Sequence, residues 1–293
     1  MGMLPKGLDL LNADPGPYGL LPLVILLIGI IWVQRRRYRQ SLQNQYLHAN
    51  FDGKLPPAEI KALQRQVQVS LEKKPRDQVL TVMFIDIAGF SRVAEGQNPQ
   101  LLFRNVNSHV RFISRLVHKH GGVIDKFLGD GILCYFGFSV SGQVDRSHAN
   151  RALKCAIAIQ RENLKRCQKA MAHGKPIYPV RIGLNSGSVL VGDLGRGHRI
   201  DLTMIGHTVN FAKRMEQCSE TFKILMSATT KELLQDFNVA SPCVNKKSIQ
   251  LKHYEGLKEA YEYNPLMAKA DIVTKAVRYF RDSVGIVRKE ERI

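Results

Sequence analysis

Apolar residues along the chain recur in patterns that each predict a different element. Positions 18–33 are almost wholly apolar, broken by Gly19, Pro22 and Gly29. Short unbroken runs at 79–85 and 132–136 have the length and composition of buried strands. Helical spacing appears at Leu102, Val106, Val110, Ile113 and Val117, predicting a helix over 99–119 that ends at Gly121-Gly122. It appears again at Ala152, Cys155, Ile159 and Leu164, predicting a helix over 146–171. A narrower stripe, Ile60, Leu63, Val67 and Leu71, starts after Pro56-Pro57 and stops at Pro75. It suits either a parallel dimer helix or an amphipathic helix lying on a neighbouring domain.

Beyond residue 171 the pattern predicts strands over 177–184, 188–192, 202–205, 223–226, 249–252 and 260–263. Helices are predicted over 208–218 and 229–235, with a polar, glycine-bearing excursion at 194–200. The order β-α-β-β-α-β with additions predicts an α/β (α+β) sandwich of the ferredoxin-like kind, with helices covering one main sheet. The segments are then a short outer tail over 1–17, a membrane-spanning helix over 18–34, a linker over 35–78, one domain over 79–265 and a tail over 266–293. The tail has an amphipathic part and a charged end. No internal repeat is present.

Charge sharpens the picture at the N-terminal end. The formal net charge is +18, and Arg35, Arg36, Arg37 and Arg39 follow the apolar run directly. Basic residues gather on the cytosolic side of a span, so the reading is a single-pass anchor in the cell (inner) membrane with the domain in the cytoplasm. A cleaved signal peptide is the alternative, but it carries its basic residues before the apolar run. Net charge alone also suits nucleic acid. No zinc-finger spacing and no basic motif interleaved with aromatics occurs, so nucleic acid is not an expected partner. The cysteines, Cys134, Cys155, Cys167, Cys218 and Cys243, form no C-x-x-C pair and read as reduced, buried thiols without a metal.

Candidate chemistry centres on 79–137. The first strand delivers Asp86 into a tight turn, Ile87-Ala88-Gly89-Phe90. The stretch 123–136 reads as a hairpin with Asp130 at its tip between Gly129 and Gly131. Carboxylates at two strand ends can meet across a sheet, an arrangement costly alone but suited to a hard cation such as Mg²⁺. The N–H groups of Ala88, Gly89 and Phe90 open a helix and suit a phosphate. Farther on, Asn210 and Arg214 lie four apart, on one helical face that can hold a charged phosphorus centre. Taken singly, each has an ordinary reading as a turn, a hairpin or a solvated helix face.

Together the segments FIDIAGF (84–90), KFLGDG (126–131) and LTMIGHTVNFAKRME (202–216) resemble the catalytic domain of class III nucleotide (adenylate and guanylate) cyclases, close to its bacterial branches. The resemblance implies that Asp86, Asp130 and the backbone carbonyl of Ile87 hold two Mg²⁺ or Mn²⁺ ions. Lys126 and Thr203 would read the base, Asn210 and Arg214 would serve the transition state, and Lys252 would hold the terminal phosphates. It implies an adenylate cyclase converting ATP to 3′,5′-cyclic AMP and pyrophosphate in cyclic-nucleotide signalling. In that family one chain gives the metal carboxylates and its partner the other groups. A homodimer with two composite sites is therefore implied, the 194–200 excursion reaching across. Guanylate cyclases usually carry Glu at the place of Lys126 and Cys near that of Thr203. A guanylate-specific enzyme and a catalytically silent module of the same fold are the alternatives. His207 has no assigned role.

Overall fold

The computed structural model describes residues 29–35, 37, 75–95, 97–139, 144–193, 202–235, 241–252 and 254–284. Residues 29–35 and 37 are helical, with Ile30, Ile31, Trp32 and Val33 exposed. Among the described residues no helix is long and apolar enough to cross a membrane. Most of the expected span, the helix with the 60–71 stripe and the 194–200 excursion lie outside them.

β1 (Arg76–Ile87) runs through the middle of the sheet between β3 (Gly131–Phe136) and β4 (Val180–Asp193). Its apolar run does not alternate because both faces are covered, and Val82, Met83, Phe84 and Ile85 are at most 5% exposed. β2 (Val123–Leu128) pairs with β3 as the expected hairpin. α1 (Phe90–Ala94) and α2 (Pro99–Lys119) connect β1 to β2, and α3 (His148–Met171) connects β3 to β4. The order β4-β1-β3-β2 with α2 and α3 between its strands is the anticipated β-α-β-β-α-β core. The rest extends it. β5 (Leu202–Ile205) pairs with β4, and β6 (Ile224–Ser227) lies parallel to it. β8 (Leu257–Tyr263) and β7 (Val244–Gln250) complete an eight-stranded mixed sheet.

Helices cover both faces of the sheet. Ile182 and Leu184 pack with Ala152, Cys155 and Ile159 of α3. The alternate residues of β4 face α4 (His207–Cys218), where a side chain on Gly183 would run into the helix backbone at Glu216. A Cβ on Gly187 would sit 2.8 Å from Thr208 Oγ1. These glycines let α4 lie directly on the sheet. β4 is also one strand where the sequence pattern suggests two. Asn185-Ser186-Gly187 resembles a break, yet each is paired with β1. The polar groups are satisfied from both sides, by Thr81 Oγ1 to Ser186 Oγ at 2.7 Å and Asn185 Nδ2 donating to the Thr208 carbonyl at 3.0 Å.

The amphipathic tail forms α6 (Ala270–Ser283), the short α5 (Ala228–Glu232) preceding it in the chain. Phe280 and Ala276 of α6 join Leu164 and Cys167 of α3 and Ala88 of the β1–α1 turn in one buried cluster. Gly89 has φ +62°, and a Cβ there would meet Phe280 Cζ at 3.2 Å. Cys134, Cys155 and Cys167 are buried as expected, whereas Cys218, the last residue of α4, is exposed and Cys243, in the turn before β7, is half-buried.

His109 of α2 is buried edge-on against Phe112, ring centroids 4.8 Å apart. Burial, reinforced by the nearby Arg166 charge, lowers its imidazole from 6.5 to about 3. The unfolded chain takes up a proton near 6.5 that the folded chain refuses, so stability is present above pH 6.5 and lost as pH falls toward 3. The loss at pH 5 is about 2 kcal/mol. A His109→Leu chain is expected to lose less melting temperature than wild type between pH 7.5 and pH 5. Equal losses in thermal melts would remove this account.

Candidate active site

Register brings the two carboxylates together. Ile85 pairs with Ile132, so Asp86 at the end of β1 comes beside Gly131 at the start of β3. A Cβ on Gly131 would stand 3.1 Å from Asp86 Oδ1, so glycine leaves the room that the carboxylate occupies. Gly129 has φ +67°, which a tight turn carrying Asp130 requires. The Asp130 carboxyl is raised from 3.8 to about 6. Burial is the largest cause, followed by the Asp86 charge, while N–H groups of Asp130 and Ile87 pull the other way. Two acids facing each other with their charge incompletely neutralised fit a divalent cation.

Ile87 is buried, with its N–H toward Asp130. Of the anticipated phosphate-binding turn, Ala88 N–H is already committed to the Pro179 carbonyl at 2.8 Å, because the chain entering β4 runs alongside the residues that leave β1. Gly89 is exposed and Phe90 half-buried, and these two keep the expected position at the start of α1.

A residue absent from the sequence reading completes this end of the site. Arg181 stands opposite Asp86 in the β1–β4 register, with Nη2 3.1 Å from Asp86 Oδ2. The same guanidinium lies 2.9 Å from Glu216 of α4, which Lys213 approaches at 2.7 Å. Glu216 is fully buried, and burial raises its carboxyl despite the opposing pull of Lys213 and Arg181. The only trace of Arg181 in the sequence is a single cation within an apolar strand pattern; its partner is visible only once the register is known.

The second expected pair also meets. Lys126 Nζ donates to Thr203 Oγ1 at 2.9 Å, although the residues are far apart in sequence. Asp125 joins them, accepting from Thr203 Oγ1 at 3.1 Å and lying 3.3 Å from Lys126 Nζ.

The remaining residues do not meet the carboxylates within this chain. Asn210 is exposed, and Arg214 is half-buried with Nη1 on Gln217 Oε1 at 2.7 Å. The buried face of α4 is Thr208, Ala212, Met215 and Glu216. At about 100° per residue, Arg214 points roughly 160° away from Glu216 and hence away from Asp86. Lys252 is exposed just after β7, four strands from β1 and on the order of 19 Å along the sheet.

Residues 71–264 match the family described as adenylate and guanylate cyclase catalytic domain. Adenylate cyclase 1 of Rhizobium meliloti is 32% identical over 146 residues, covering 50% of this chain and 21% of that protein. The adenylate cyclase of Anabaena cylindrica is 30% identical over 189 residues, covering 62% of this chain and 36% of that protein. The chain thus spans about a fifth to a third of the length of these relatives. Among solved structures, the adenylyl cyclase CyaB from P. aeruginosa is 32% identical with a TM-score of 0.58, covering 65% of this chain and 95% of that one.

Proposed function

The chain belongs to the adenylate and guanylate cyclase catalytic domain family, and from that premise we propose that it is an adenylate cyclase converting ATP to 3′,5′-cyclic AMP and pyrophosphate. The observation that carries the choice of substrate is the contact of Lys126 with Thr203 at 2.9 Å. An ammonium beside a hydroxyl can meet a ring nitrogen acceptor and an amino donor, as the edge of adenine presents them. The similar adenylate cyclases of Rhizobium meliloti and Anabaena cylindrica support the same reading.

In this mechanism the ribose 3′-hydroxyl attacks the α-phosphorus and pyrophosphate leaves. Asp86, Asp130 and the Ile87 carbonyl would hold divalent cations, which would supply Lewis-acid activation of that hydroxyl and offset the triphosphate charge. Arg181 steadies the Asp86 carboxylate, itself held by buried Glu216. Gly89 and Phe90 receive phosphate oxygens. Asn210 orients the ribose, and Arg214 takes up charge that grows on the α-phosphate.

Because Asn210 and Arg214 face away from their own carboxylates, the working site is a composite of two chains. A two-fold homodimer holds two such sites. Phe127, Leu128 and Ile205, adjoining Lys126 and Thr203 in sequence, are each about half exposed and suit a surface that a second copy covers. Lys252 reaches a site only from the partner.

The full chain supplied with ATP or GTP, in Mg²⁺ and then Mn²⁺, is expected to form cyclic AMP with at least about tenfold higher kcat/KM than cyclic GMP. Faster turnover of GTP would replace this reading with the guanylate one.

A further inference from the structure

We propose that Asp125 sets the hydrogen-bond polarity of the Lys126–Thr203 pair and so decides which purine the site accepts. The proposal rests on the adenine reading above and names the residue that enforces it.

Consecutive residues of a regular strand point to opposite faces of a sheet. Asp125 and Lys126 do not obey this. The β2–β3 register runs Val123 to Tyr135, Ile124 to Cys134, then Lys126 to Leu133, so Asp125 is the extra residue of a β-bulge. Bulges re-aim side chains beside functional sites. Here both neighbours reach one hydroxyl, Thr203 Oγ1, at 3.1 Å from Asp125 Oδ2 and 2.9 Å from Lys126 Nζ. The Asp125 side chain is fully buried, whereas that of Lys126 is 39% exposed. The carboxylate is therefore an internal fixture, and the ammonium faces the nucleotide.

A threonine hydroxyl has one proton and two lone pairs. An ionised carboxylate only accepts, so the proton of Thr203 goes to Asp125. One lone pair takes a Lys126 N–H, and what is left for a ligand is an acceptor. Lys126 can only donate. With position 1 of the base at Lys126 and position 6 at Thr203, adenine offers an acceptor to the donor and an amino group to the acceptor. Guanine in the same pose turns a carbonyl toward the hydroxyl oxygen and an N–H toward the ammonium, and both contacts repel. Without Asp125 the hydroxyl is free to rotate its proton toward a carbonyl. Asp125 touches no substrate atom, so it is a positioning residue.

Asp125→Leu keeps the approximate volume but removes the acceptor, which releases the hydroxyl proton of Thr203. The test is the ratio of kcat/KM for ATP to that for GTP, measured on the full chain for wild type, Asp125→Leu and Asp125→Ala, with circular dichroism to select folded variants. The ratio is expected to fall at least about tenfold in a folded variant. General loss of packing lowers both nucleotides alike and leaves the ratio in place. In a Thr203→Val background Asp125→Leu is expected to change nothing further. An unchanged ratio in either folded single variant, or a further tenfold fall in the Thr203→Val background, overturns the role of Asp125 and leaves the adenine reading intact. A wild-type preference for GTP overturns both.

Discussion

An Asp86→Ala chain is expected to form cyclic nucleotide at least about a thousandfold more slowly than wild type while keeping its fold. The size follows from what is lost. A single preorganised electrostatic contact to a transition state is worth about 3–4 kcal/mol, and a metal ligand acts on both the attacking oxygen and the departing charge. The fold survives because Asp86 is at the end of β1 and its cationic partner has a second anchor. Arg181 keeps Glu216 at 2.9 Å when Asp86 is gone. Asp130→Ala has the same expected effect, since Asp130 sits in a hairpin turn whose geometry is set by Gly129. The check is a cyclase assay at saturating Mn²⁺, alongside a thermal melt. Turnover by Asp86→Ala protein at the wild-type rate would falsify the assignment of the metal site.

Mixing two inactive chains tests the composite site. Arg214→Ala is expected to cost about 100- to 1,000-fold by itself. An Asp86→Ala chain retains Arg214, and an Arg214→Ala chain retains both carboxylates. In a mixed dimer one site receives both lesions and the other receives none. Equal amounts exchanging at random give half mixed dimers, each with one working site of two, so about a quarter of wild-type activity returns. Verified mixed dimers that stay inactive would show that each chain builds its site alone.

What the sequence made legible, and what it hid, divides along the range of the interactions involved. α2 was readable from end to end because its signals are local. Asn98 caps it by accepting from the N–H groups of Gln100 and Leu101, Pro99 fills the first position, and Gly121 follows at φ +70°. The hairpin was readable for the same reason. β4 was misread as two strands because its polar middle is satisfied by partners distant in sequence, Thr81 and Thr208. Arg181, Glu216 and Asp125 went unnoticed although each touches an anticipated residue. Their meaning depends on register and on a bulge, which no periodicity reveals. Lys252 was assigned by its place near the last strands, and it lies at the far edge of the sheet. Asp86 and Asp130 are legible from the strand and hairpin pattern, which also implies that they meet, whereas Lys126 and Thr203 follow only from the resemblance, and their contact, shared with Asp125, is visible only in three dimensions.

Phe280 against Gly89 ties the last described helix to the turn that follows β1. Protein interiors are packed too tightly to absorb a displaced aromatic ring without neighbouring atoms moving. A pull, a binding event or a covalent change that tilts α6 is therefore mechanically felt within a few residues of Asp86. α6 is in this sense a handle on the turn that follows β1.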